Sequence, residues 1–228
     1  MPEELYGENF YADRHARSLY AAVNILTLVS QIVPKIESAV DFGCGVGTWM
    51  QVQQQLGATK ILGLEGEWLN KEMLVIDEDN FMHANFSDDI PDVGRFDLAV
   101  SLEVAEHLEE QYARPFVEHI TSSSDFVLFS AAIPHQKPGP EHVNEQWPNY
   151  WINIFSSLGY QCIDCIRGIM WNDVKIPAWY RQNIMFYVKN DRIDDLNLEK
   201  VKSLPNLNGL ALVHPEYYLE GLYRPAMD

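Results

Sequence analysis

The segment Asp41-Phe42-Gly43-Cys44-Gly45-Val46-Gly47 constrains this chain more than any other part of it. A short strand pattern, Ser38 to Phe42, leads into it, and a helical pattern, Thr48 to Leu56, leads out and stops at Gly57. Glycines at alternate positions between a strand and a helix let the backbone turn sharply and approach a ligand closely. The helix N-terminus meanwhile turns unpaired N–H groups toward an anion. Such a loop belongs to an α/β domain built on a mainly parallel sheet.

The remaining pattern agrees. Leu19 to Val33 reads as an amphipathic helix ended by Pro34. Further strands are expected over Lys60–Glu65, Phe81–Phe86, Phe96–Leu102, Asp125–Ala131, Tyr160–Trp171 and Asn183–Val188, and helices from about His107 to Ile120 and from Gln146 to Leu158. A polar loop with Pro134, Pro138, Gly139 and Pro140 follows the fifth strand, the kind of segment that carries function over a sheet edge. Residues 1–35 read as an N-terminal helix and lid, 36–190 as the ligand-binding core and 191–228 as a polar extension, all within one structural domain. Cys162 and Cys165 stand three apart on an expected strand and face opposite sides, which argues against a shared metal or redox pair.

Charge narrows the partners. Sixteen Lys and Arg against thirty-three Asp and Glu leave a formal charge of −17, with no basic run, so nucleic acid and anionic membranes are repelled. No apolar run is long enough to span a bilayer, and Met1-Pro2-Glu3-Glu4 lacks the order of a signal peptide. A cytoplasmic protein acting on a small molecule is the expectation.

Two cofactors compete for the loop. A dinucleotide fingerprint runs G-x-G-x-x-G, its third glycine seating the helix on the strand. Here the spacing is G-x-G-x-G, with Thr48 in that third place. Asp41 precedes the first glycine, and Glu65 ends the next strand, where a carboxylate can accept both hydroxyls of a ribose. Val40 to Trp49, Leu62 to Gly66, His83 to Phe86 and Phe96 to His107 together resemble the class I S-adenosylmethionine (SAM)-dependent methyltransferases. The resemblance implies a Rossmann-like, seven-stranded, mostly parallel sheet with an antiparallel last strand. It also implies that Gly43, Gly45 and Gly47, with Cys44 and Trp49 in the same motif, surround the amino-acid end of SAM, and that Asp41 anchors the loop. Glu65, beside Gly66, would take the ribose hydroxyls, Asn85 and Phe86 the adenine, and Leu102 would lie near the sulfonium.

Beyond the fourth strand stand Glu103, Glu106 and His107, at positions that share one face of a helical turn, and His142 lies in the later polar loop. Two carboxylates and imidazoles suit a hard cation, Mg²⁺ or Mn²⁺, which would lower the pKa of a bound hydroxyl. The pattern resembles metal-assisted O-methyltransferases acting on catechols or on small-RNA 3′ ends, the latter disfavoured by the charge. Two other readings stay open: His107 or His142 as a metal-free general base, and a purely structural brace. His135, also in the loop, is a weaker candidate.

On the acceptor side, Trp147 and Trp151 stand at helical spacing, and Trp171, Trp179 and Tyr180 surround the sixth strand. Aromatics so placed are more often core than platform. Trp179 to Asn183 nevertheless reads as a link between two strands at a sheet edge, where rings stack on a sugar and Arg181 pairs with a phosphate or carboxylate. With His142 to Trp147, this stretch resembles methyltransferases encoded with bacterial surface-polysaccharide genes. The expected activity is O-methylation of a sugar or phosphate-type group of a glycan precursor. A non-catalytic SAM-binding subunit is the alternative, and Tyr6 to Tyr11 is expected to form a lid.

Overall fold

The computed structural model describes residues 8–88, 90–136, 141–197, 199 and 211–223. Helix α1 (Glu8–Ile32) precedes β1 (Ser38–Phe42), α2 (Thr48–Gln55), β2 (Lys60–Glu65), β3 (Phe81–His83), β4 (Leu98–Leu102) and α3 (Glu110–Ser123). Then follow β5 (Phe126–Ser130), α4 (Pro148–Ser157), β6 (Tyr160–Ile163), α5 (Arg167–Met170), α6 (Ala178–Asn183), β7 (Met185–Lys189) and α7 (Pro215–Tyr223). Seven strands make one sheet in the order β3-β2-β1-β4-β5-β7-β6. The first five run parallel, and β7 is antiparallel to both β5 and β6. This is the seven-stranded α/β sheet the sequence implies.

Successive side chains of a strand point to opposite faces, so the central strands feed two cores. Ala39, Leu98, Val100, Leu128 and Phe186 pack against Ile25, Leu26, Val29 and Met50 of α1 and α2. Val40, Phe42, Ala99, Val127 and Phe129 pack against Phe116, Ile120, Trp151 and Phe155 of α3 and α4. Apolar runs without alternation, such as Phe126–Ser130, are what burial on both faces requires. The chain builds outward from β1 to β3 and then returns to place β4 on the other side of β1. The loops after β1 and β4 therefore leave from neighbouring strand ends, and a crevice opens between them.

Several elements differ from expectation. The strand expected to Trp171 ends at Ile163, because buried Asp164 and Arg167 pair with each other and Arg167 Nη1 donates to the Gln182 carbonyl at 3.1 Å. Partners three residues apart meet only on a turned backbone, and α5 is that turn. Trp179–Asn183 lies within α6 rather than forming an edge link. A 3₁₀ turn, Ala105–His107, stands before α3, so the helix expected from His107 opens at Glu110. Helix α4 opens at Pro148, which has no N–H to leave unpaired there. After residue 190 the chain still carries a 3₁₀ segment, Asn190–Asp195, and α7. Of the expected lid, Tyr6 and Gly7 lie outside the described residues, while Glu8–Tyr11 open α1. Among the described residues no helix is long and apolar enough to cross a membrane.

Candidate functional site

The crevice holds a cavity of about 350 Å³ at the carboxyl ends of the parallel strands. Most residues singled out in the sequence line it: Asp41, Gly43, Cys44, Gly45 and Trp49 from the glycine loop and α2, Glu65 from β2, Asn85 and Phe86 after β3, and Leu102, Glu103, His107 and His142. Gly47, Gly66 and Glu106 are not part of this lining.

The loop's shape follows from its glycines. Gly43 and Gly47 have φ of 90° and 89°, a left-handed region that side chains rarely adopt. A Cβ on Gly43 would overlap the Val104 side chain, and one on Gly47 would lie 2.7 Å from Ile76 Cγ1. The Gly43 and Cys44 amides donate to the Leu64 carbonyl at 2.8 and 2.9 Å, which ties the loop to the end of β2.

Glu65 sits between two parts of that wall. Its Oε2 accepts from the Gly45 amide and its Oε1 from the Gly66 amide, each at 2.9 Å. Burial raises its carboxyl, while those two amides and His83 pull it back down. Asp41 is 2% exposed, and its Oδ2 has no hydrogen-bond partner. Burial, and then the nearby Glu65, push the Asp41 carboxyl well above its usual range. Burial also raises the Cys44 thiol, followed by the charges of Asp41 and Glu65. A buried carboxyl oxygen without a donor is costly unless a ligand supplies one.

At the other end stand two histidines. The Val143 and Asn144 amides donate to the Glu106 carbonyl at 2.9 and 3.0 Å, pinning the His142 loop onto the turn after β4. The His107 and His142 rings meet edge to face with centroids 4.8 Å apart. His142 Nδ1 is 2.9 Å from Glu145 Oε1, and Glu145 Oε2 accepts from the His135 amide at 2.7 Å. Glu106, His107 and His142 offer ligand atoms within 4.8 Å of one another.

Glu103 takes another direction. Its φ is 57°, so it does not share a helical face with Glu106 and His107 as the spacing implies. Gln136 Nε2 donates to its Oε2 at 2.8 Å and Asn183 Nδ2 to its Oε1 at 3.1 Å. His135 is outside the lining. Arg181, expected to meet an anionic substrate, is 2% exposed and donates to the Ile176 and Trp171 carbonyls and to both oxygens of Glu216. Its guanidinium holds α7 in place. Trp151 is buried core, whereas Trp147 is exposed at the start of α4. Cys162 and Cys165 are free thiols, each pushed up to about 12 by burial and then by Asp164.

Tyr180, one of the aromatics expected on the acceptor side, lines the cavity from α6, and the cavity also includes residues the sequence reading passed over: His15 and Ser18 from α1, Trp68 and Ser87 beside the Glu65 and Asn85 ends, and Glu141. A signal for the first two exists. Residues 15, 18, 22, 25, 29 and 32 form one stripe along α1, apolar from Ala22 onward, and two polar residues prolonging an apolar stripe mark a face that meets something other than core.

No protein-family profile matches the chain, and no curated protein matches it by sequence. Solved structures match its fold. The magnesium protoporphyrin IX methyltransferase ChlM from Synechocystis PCC 6803, with bound S-adenosylhomocysteine (SAH), is 19% identical with a TM-score of 0.56, over 77% of this chain and 83% of that one. DesVI from Streptomyces venezuelae is 14% identical with a TM-score of 0.57, over 80% and 96%. The small RNA methyltransferase HEN1 is 17% identical with a TM-score of 0.54, over 76% of this chain and 25% of that one. This chain has the fold of those methyltransferases.

Proposed function

We propose that this chain is a SAM-dependent methyltransferase that methylates a hydroxyl of a small acceptor. The observation that carries the reading is one continuous cavity lined by the glycine loop, Glu65, Asn85 and Phe86 at one end and by His107 and His142 at the other. The residues fit the cofactor. The partnerless Asp41 oxygen suits an ammonium, Glu65 suits ribose hydroxyls, and the side-chain-free wall at Gly43 and Gly45 admits close approach. When bound, SAM supplies an electrophilic methyl group. The protein's own part is alignment and proton removal.

His142 is the proposed base. With its Nδ1–H given to Glu145, its Nε2 lone pair is available to take the acceptor's hydroxyl proton, and Glu145 stabilises the imidazolium that results. A second reading is favoured by the Glu106, His107 and His142 group, which would hold Mg²⁺ or Mn²⁺ and so acidify the acceptor hydroxyl. The acceptor we favour is a sugar hydroxyl of a surface-glycan precursor. Among the described lining residues there is no Lys or Arg, while Glu103 and Glu141 are in the lining and Glu106 and Glu145 stand beside the histidines, so a phosphate-type acceptor meets no Lys or Arg there.

Calorimetry with SAH tests the cofactor. Binding is expected and should be lost in Gly45→Arg; undiminished binding by that variant, or none by the wild type, overturns the reading. SAH binding without transfer from labelled SAM to any sugar hydroxyl would favour a non-catalytic subunit. Chelation followed by Mg²⁺ or Mn²⁺ add-back separates the two base readings, because a His142 base acting alone is indifferent to both.

A further inference from the structure

The wall contributed by α1 has no part in the reading above. His15 and Ser18 lie three residues apart on one face of that helix and both line the cavity. His15 Nδ1 is 2.9 Å from Thr48 Oγ1, and Thr48 is the first residue of α2, directly after the glycine loop. Ser18 Oγ is 3.3 Å from the Tyr180 hydroxyl, which also faces this end of the cavity. An imidazole, hydroxyl groups and the start of an eight-residue helix therefore meet at one place. All are suited to donate to an anion.

The same end holds the opposite chemistry. Asp41, at the strand end of the same loop, is a buried carboxyl with an oxygen that no donor reaches. A diphosphate laid along this loop would meet that carboxyl as a like charge. A ligand group carrying both a carboxylate and an ammonium satisfies both sides at once, the ammonium toward Asp41 and the carboxylate toward His15 and Thr48. We propose that His15 is the anchor for the carboxylate of an α-amino-acid group, which in the present reading is the amino-acid end of SAM. With Nδ1 accepting from the Thr48 hydroxyl, Nε2 carries the ring proton and is the atom that donates to the ligand's carboxylate. The proposal rests on the cofactor reading and adds to it a residue from outside the sheet, so that docking of α1 and capture of the cofactor become linked.

The test compares SAH with its decarboxylated analogue, which keeps the adenosine, sulfur and amine, on the full chain by calorimetry. A charge-assisted contact of this kind predicts that the wild type prefers SAH by about tenfold or more. His15→Phe, which keeps a ring of similar bulk, should narrow that preference to roughly threefold or less, mainly by weakening SAH. A wild-type preference below about threefold overturns the proposal without any variant. So does an unchanged preference in His15→Phe, which would assign His15 to holding α1 on Thr48. If the wild type binds neither ligand, the cofactor reading fails, and that outcome differs from one in which both bind equally.

Discussion

At the residue scale, the two ends of the cavity place opposite demands on ionisation. Asp41 is held well above its usual 3.8 by burial and by Glu65, and Glu65 is raised in the same direction. A carboxyl with a raised folded-state value favours folding most below its unfolded value, and that contribution fades as pH rises through the folded value. Asp41→Asn should therefore raise the melting temperature of the ligand-free protein near neutral pH, with the gain shrinking as pH falls toward the unfolded value. It should weaken SAH binding at the same time; a variant that gains stability and keeps its affinity would remove Asp41 from the site. His142 answers to kinetics instead. His142→Ala should lower kcat by about 10²–10⁴-fold with little change in KM for SAM, the usual range for loss of a general base. Glu145→Gln, which acts through His142, should cost about tenfold.

At the element scale, the loop after β1 is the element that tolerates least. Gly43→Ala combines a left-handed φ with overlap on Val104 and should cost about 2–4 kcal/mol in urea denaturation. Val104→Ala in the same chain removes the overlap but not the backbone strain, so recovery should be partial; full recovery would show that φ carries no cost. The spacing of the glycines made this loop legible in the sequence, because strand, turn and helix follow one another without a break from Ser38 to Gln55. The Glu103 turn was not legible in the same way. Its departure from helical geometry depends on Gln136 and Asn183, which come from beyond β5 and from α6. The Tyr160–Trp171 pattern misled for a similar reason. Its β-type residues fit a strand, but the Asp164–Arg167 pair and the Gln182 carbonyl reward a turn, and local propensity yields to such tertiary contacts.

At the scale of the whole molecule, ligand and fold share one framework. The cavity is bounded by α1, the sheet ends, α6 and the His142 loop, so a ligand bridging them should stabilise the entire domain. SAH at 100 times its Kd adds about 2.7 kcal/mol by mass action, which for a chain of this size is a rise of roughly 5–10 °C in melting temperature. A shift that grows with the logarithm of SAH concentration but is absent with NAD would separate the two cofactors the glycine loop by itself leaves close. The formal charge of −17 belongs to this scale too, since it sets what approaches the molecule rather than how it folds.

The sequence by itself determined the alternation of strands and helices, the glycine loop, and the carboxylates Asp41 and Glu65 at the ends of β1 and β2. These are local consequences, because a residue at a strand's carboxyl end reaches the crevice wherever the neighbouring strands pair. Only the tertiary structure decided the other half of the cavity. It set His142 against His107 and Glu145, turned Glu103 toward Gln136 and Asn183, buried Arg181 under α7, and laid His15 on Thr48. Most of these contacts join segments far apart in the chain, and which side chain meets which depends on how helices dock on the sheet, a choice made by packing and burial that spacing along the sequence does not encode.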